Sequence, residues 1–109
     1  MRPLDGIKVL DLSRVLAGPF AGRILHDLGA EVVKVEPPEG DVTRNWGKVR
    51  AGLAGYYTQQ NVGKQNVCID LSVKGGPEIV RQLAARADVL IENFRPGVMQ
   101  KYELGYEDL

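Results

Sequence analysis

Short apolar runs alternating with amphipathic stretches predict an α/β fold, a parallel sheet with helices on both faces. Three observations carry this reading. Ile7–Leu12 is a Val- and Leu-rich run after Asp5-Gly6 and reads as a buried strand. A loop of small residues follows, Ser13–Gly18, with Arg14 as its one charge; Phe20, Ile24, Leu25 and Leu28 then recur at helical spacing. Glu31–Glu36 returns to a strand pattern through Val32, Val33 and Val35. Strand, loop, helix and strand in that order make a βαβ unit.

Pro19 suits the first helical position, where its missing N–H costs nothing. Gly29 stands where a C′ glycine ends a helix. Pro37-Pro38-Glu39-Gly40-Asp41 is a turn-rich break. From Val42 to Lys64 periodicity is weak, with Trp46, Tyr56 and Tyr57 scattered among glycines. A connection of this length is usually functional or docked on a partner, and this one has too little periodicity to fold on itself. Asn66–Leu71 reads as a third strand. Pro77 opens a second helix, with Ile79, Val80, Leu83 and Ala84 facing inward. Asp88–Glu92 is a fourth strand, followed by a loop, Asn93–Gly97, and a short helix, Val98–Leu104. Gly105 stops that helix. Tyr106–Leu109 then looks like the first turn of another, so the chain reads as the front piece of something longer, with its fourth strand left as a sticky edge.

Right-handed crossovers favour the Rossmann-like strand order 3-2-1-4, which sets strands one and four side by side at the switch point. The loops Ser13–Gly18 and Asn93–Gly97, far apart in sequence, then meet. They contribute Arg14, Val15, Leu16, Ala17, Asn93, Phe94 and Arg95: two cations, one amide and an apolar wall. That set suits a ligand with a phosphate and a flat or alkyl part.

Composition narrows the function. With 109 residues the chain is one small domain, and 14 basic residues balance 14 acidic ones. A neutral chain has no net field to attract nucleic acid or an anionic membrane, so any anion site is local. Cys68 is the only cysteine, which excludes an internal disulfide and suits a reducing compartment. No signal-peptide pattern and no long apolar run occur; the cytoplasm is the expected location.

Single residues mostly have plain explanations. Gly18 and Gly22 give G-x-x-x-G rather than the G-x-G-x-x-G of dinucleotide binders, although Glu36 stands where a ribose-binding acid would. Close helix–sheet packing is the better reading of Gly22. His26 flanks a helix with no nucleophile paired to it, and Cys68 reads as a buried inert thiol. One His and one Cys cannot make a metal site of ordinary spacing. Asp11, Asp27, Asp41, Asp70 and Asp88 fall near element ends and read as caps and turn bonds. Arg14, Lys64, Lys74, Arg95 and Lys101 lie in loops or at element ends. Each alone reads as solvated; together they suit a polyphosphate.

Three long motifs in order, LDGIKVLDLSRVLAGPF, DLGAEVVKVEPPEGDVTR and DVLIENFRPGVMQKYELGYEDL, resemble the N-terminal part of the family III CoA-transferases. That family includes formyl-CoA transferase, the carnitine CoA-transferase and the α-methylacyl-CoA racemases. The resemblance spans nearly the whole chain and is weakest from Lys48 to Gln60. It implies a Rossmann-like domain of which residues 1–109 are the N-terminal, CoA-binding portion, and a parent that forms an interlinked homodimer. The substrates implied are coenzyme A or an acyl-CoA and a carboxylic acid acceptor, with no metal. The family's aspartate attacks the thioester to give a mixed anhydride and releases CoA, whose thiolate re-attacks. That aspartate lies beyond Leu109, so the chain alone is expected to be inactive. By position, Val15, Leu16 and Ala17 match the loop at the thioester end, Ile69 a residue near the adenine, Asn93 and Phe94 further CoA contacts, and Lys101 an arginine near the phosphates. Leu16 replaces the gating glutamine of formyl-CoA transferase, and Pro37 replaces a basic CoA contact of some members. The usual L-D-L-K is Ile69-Asp70-Leu71-Ser72, with Lys74 two residues late. A racemase fragment and a stand-alone nucleotide-binding module are the rival readings.

Overall fold

A computed structural model describes all residues from Met1 to Leu109. Four parallel strands form one sheet: β1 (Lys8–Asp11), β2 (Glu31–Glu36), β5 (Gln65–Cys68) and β6 (Val89–Ile91). Their order is β5-β2-β1-β6, the expected arrangement with the first and last strands adjacent. In register, Val9 lies beside Val32 and Val89, and Asp11 beside Lys34 and Ile91.

Alternation along β1 sends its side chains to two cores. Leu10 and Leu12 join Val35, Ile69, Val80, Met99 and Leu104 on one face. There α3 (Gly76–Ala84) and the short α4 (Val98–Lys101) cover the sheet. Val80 is completely buried, a burial worth about 1.5–3 kcal/mol. Val9, Ala30 and Val32 form the opposite core, against Leu25 of α1 (Ala17–Asp27). Helices therefore lie on both faces, as the alternating pattern requires.

Helix α1 begins two residues earlier than expected, so Pro19 is its third residue and still falls among the first four positions, which lack an acceptor. Its end is a full Schellman motif. The Ala30 N–H donates to Leu25 O at 3.0 Å and the Gly29 N–H to His26 O at 2.9 Å, with Gly29 at φ +114°. The sheet side of α1 is lined by Gly18, Gly22 and Leu25. A Cβ on Gly18 would strike the Ser13 side chain, and one on Gly22 would stand 2.9 Å from Asp11 Oδ2. Close approach explains the G-x-x-x-G spacing. It also turns Phe20, Ile24 and Leu28 outward, where all three are exposed.

Three expectations need correction. Val42–Lys64 is not an unfolded connection. It holds a 3-10 turn (Val42–Asn45), a hairpin of β3 (Val49–Arg50) and β4 (Leu53–Ala54), and α2 (Gly55–Asn61). Ala51 and Gly52, both at positive φ, make the tight hairpin turn. The buried residues of α2 are Gln60 and Asn61, so polar contacts hold it and no apolar period announces it. Cys68 is exposed, because β5 is an outer strand. Ile79 is also exposed, leaving Val80 as the buried anchor of α3.

Candidate functional site

The loops after β1 and β6 meet at the carboxyl edge of the sheet. Asn93 clasps Arg14 from both sides. Its Oδ1 accepts from the Arg14 N–H at 2.9 Å, and its Nδ2 donates to Arg14 O at 2.7 Å. The Arg14 guanidinium stands 5.3 Å from the Phe94 ring centre, and Arg14 Nε is buried with no acceptor. Arg14, Val15, Leu16, Ala17, Asn93, Phe94 and Arg95 line a cavity of 410 Å³.

That cavity continues into two others. Arg14 and Phe94 also line one of 330 Å³, floored by Leu12, Val35 and Ile69, with Pro37, Glu39 and Asp70 on its rim. Leu71, Ser72 and Tyr102 are shared with a third of 370 Å³, where Lys74 and Lys101 stand with Arg81. All ten candidate residues therefore lie along one groove. Its β1–β6 end is mainly apolar. At the other end Lys74 and Lys101 enter no ion pair, while Arg81 is tied to Glu78 at 2.9 Å.

Beneath the groove lies a set of buried charges that sequence reasoning missed. Lys64 is not solvated: only 1% of its side chain is exposed. Its Nζ donates to Asp11 Oδ2 at 2.7 Å, Pro19 O at 2.9 Å and Asn61 Oδ1 at 2.8 Å, joining β1, α1 and α2. Burial pushes the Lys64 ammonium down, and Asp11 opposes that shift. The other oxygen of Asp11 accepts from the Ser13 N–H at 2.8 Å and from the Ser13 hydroxyl. A second buried pair joins Lys34 to Asp41 at 3.2 Å. Lys34 Nζ also donates to Ser13 O at 2.8 Å, and Asp41 Oδ2 accepts from the Val15 N–H at 3.2 Å. Burial would raise the Asp41 carboxyl, but bonds from Thr43 and the Lys34 charge hold it below the ordinary range. Val15 has φ +73°, a conformation costing a β-branched residue about 1–3 kcal/mol.

Glu36 does not face a ribose site. Arg44 grips both its oxygens, Nε to Oε2 at 2.7 Å and Nη2 to Oε1 at 2.8 Å. The Asp41 N–H, the Tyr57 hydroxyl and Asn66 Nδ2 complete its shell. Burial works to raise its pKa; these donors outweigh it and hold the carboxyl at about 2. The EPPEGDVTR stretch is thus a latch closed on Glu36. His26 is half-buried and packs on Gly63, where a Cβ would collide with its ring. No three His, Cys, Asp or Glu side chains cluster as a metal site needs, and no helix is long and apolar enough to cross a membrane.

A family model described as CoA-transferase family III matches residues 4–109. The chain is 48% identical to the human succinyl-CoA:glutarate CoA-transferase, covering all of this chain and 25% of that protein. It is 44% identical to the acetyl-CoA:oxalate CoA-transferase of Acetobacter aceti, covering 98% of this chain and 28% of the relative. A crystal structure of a CaiB/BaiF family protein from Brucella suis superposes with a TM-score of 0.92 at 50% identity, covering 98% of this chain and 30% of that one. The chain spans about a quarter of the length of the curated relatives it matches.

Proposed function

The chain belongs to CoA-transferase family III, and from that premise we propose that it forms the N-terminal, CoA-holding part of an enzyme that moves CoA between carboxylic acids. The observation that carries this reading is the groove itself. Its apolar end, at Leu16, Ala17 and Phe94, would take the acyl and thioester part, and Ile69 would back the adenine. Lys74 and Lys101, at the other end, would meet the phosphates, and Arg95 is the exposed cation on the wall of the apolar end. Arg14 lines both the apolar cavity and the one next to it, so its cation stands between the two ends.

In this reading the nucleophilic carboxylate comes from elsewhere in the polypeptide. It attacks the thioester carbonyl to form a mixed anhydride and expels CoA thiolate. The thiolate attacks the aspartyl carbonyl and releases the first acid. The acceptor carboxylate attacks the aspartyl-CoA thioester and expels CoA thiolate, which attacks the acceptor's carbonyl in the second anhydride and frees the aspartate; no net proton is consumed. The three buried carboxylates beneath the groove are poorly suited to that attack. Asp11, Asp41 and Glu36 are buried, and each is already bonded to a cation and to hydroxyl or N–H donors. Homodimer assembly belongs to the same reading, and the outward stripe of Phe20, Ile24 and Leu28 is apolar surface it could cover.

Arg95→Ala and Lys101→Ala test the exposed cations at the two ends of the groove in the complete polypeptide. Both side chains are exposed and enter no ion pair, so thermal stability should not change. Each is expected to weaken CoA binding by about 1.5–3 kcal/mol and to flatten its salt dependence, as loss of a charge-assisted bond requires. Titration calorimetry showing affinity within twofold for both variants would mean that these cations are only solvated surface.

A further inference from the structure

We propose that the buried Lys34–Asp41 pair is a positioning device that sets affinity for acyl-CoA without touching it. The proposal rests on the CoA reading of the groove. Neither residue lines any of the cavities described above, and both are fully buried. Their free bonding capacity goes to the loop after β1. Lys34 holds Ser13 O and Asp41 holds the Val15 N–H, so the pair grips the backbone on both sides of Arg14. Thr43 steadies Asp41 through its N–H at 3.0 Å and its hydroxyl at 2.9 Å, both to Oδ1.

Two features show that the grip sets a shape rather than only filling space. A buried ion pair is seldom a net gain over apolar packing of the same volume, so bulk stability does not account for it. Val15 is β-branched yet held at φ +73°, a conformation that persists only where its surroundings impose it. The Lys34–Asp41 pair imposes it from below, and the Asn93 clasp on Arg14 from above. Released from below, Val15 can relax to negative φ. Arg14, Leu16 and Ala17, which follow that backbone into the groove wall, would then shift together.

The test compares the complete polypeptide with a Lys34→Met/Asp41→Asn variant, which leaves no unpaired buried charge. Three quantities are measured: the acetyl-CoA dissociation constant, the melting temperature, and hydrogen exchange at the Val15, Leu16 and Ala17 amides. The expected result is about tenfold weaker binding and faster exchange at those amides, with a smaller loss of melting temperature than Lys34→Met alone causes. Faster exchange with affinity unchanged would overturn the positioning role while leaving the CoA reading intact. Unchanged exchange would show that the pair does not hold the loop, and would also overturn it. Failure of the unaltered protein to bind acetyl-CoA would sink the CoA reading and the proposal with it. If the double variant does not fold, Thr43→Val carries the test. It should weaken binding severalfold while Thr43→Ser, which keeps the hydroxyl, restores it; equal affinity in the two would overturn the proposal.

Discussion

Lys64→Met is expected to lower the unfolding free energy of the chain by about 3–5 kcal/mol, the cost of leaving a buried charge without its partner. Asp11 is fully buried, and its Oδ2 has Lys64 Nζ as its only bonded cation. Removing the ammonium also strips Pro19 O and Asn61 Oδ1 of a donor, so α1 and α2 lose their common tie to β1. The Asp11→Asn/Lys64→Met double variant leaves no net buried charge and should recover at least half of the loss. Urea unfolding can be followed through Trp46, the sole tryptophan, which packs against Tyr56 at 5.5 Å. A loss below about 1 kcal/mol for Lys64→Met would mean that Lys64 is solvated after all.

Acid should weaken the fold through Glu36. Its pKa falls from an ordinary 4.5 to about 2 on folding. A carboxyl depressed in this way stabilises the fold above its unfolded pKa, and that contribution drains away as pH falls through the folded value. A shift of this size corresponds to about 3 kcal/mol, present at pH 6 and largely gone by about pH 2. Asp41, Asp70 and Glu78 are also depressed, so the Glu36 share is isolated by comparison with Glu36→Gln. The unaltered chain should be more stable at pH 6, and the two curves should converge toward pH 2. Curves that stay parallel from pH 6 to pH 2 would show that Glu36 is not held low.

What could be read in advance was whatever local pattern encodes. The runs around Val9, Val32, Val67 and Leu90 mark strands because apolar residues cluster there. The meeting of Arg14 with Asn93 follows from strand order and crossover handedness alone. Buried charge leaves no such local mark. Lys34 sits in a run of valines and looks like an ordinary strand lysine; only the fold shows that it is enclosed between Ser13 and Asp41. Lys64 reads as a loop cation because its partner, Asp11, lies 53 residues away. Glu36 at the end of β2 suggested a ligand acid, yet Arg44 and Tyr57, from the stretch without apolar period, consume it. Cys68 differs for a related reason: Val67 and Ile69 around it are apolar and suggest burial, but strand order puts β5 at the edge.

We propose that one groove along the carboxyl edge of the sheet holds CoA. Hydrogen–deuterium exchange on the complete polypeptide, with and without saturating CoA, tests it most directly, with NAD as the comparison ligand. CoA should protect the segments containing residues 14–17, 69–74 and 93–101, and NAD should protect none of them. Protection confined to other segments, or an equal effect from NAD, would contradict it.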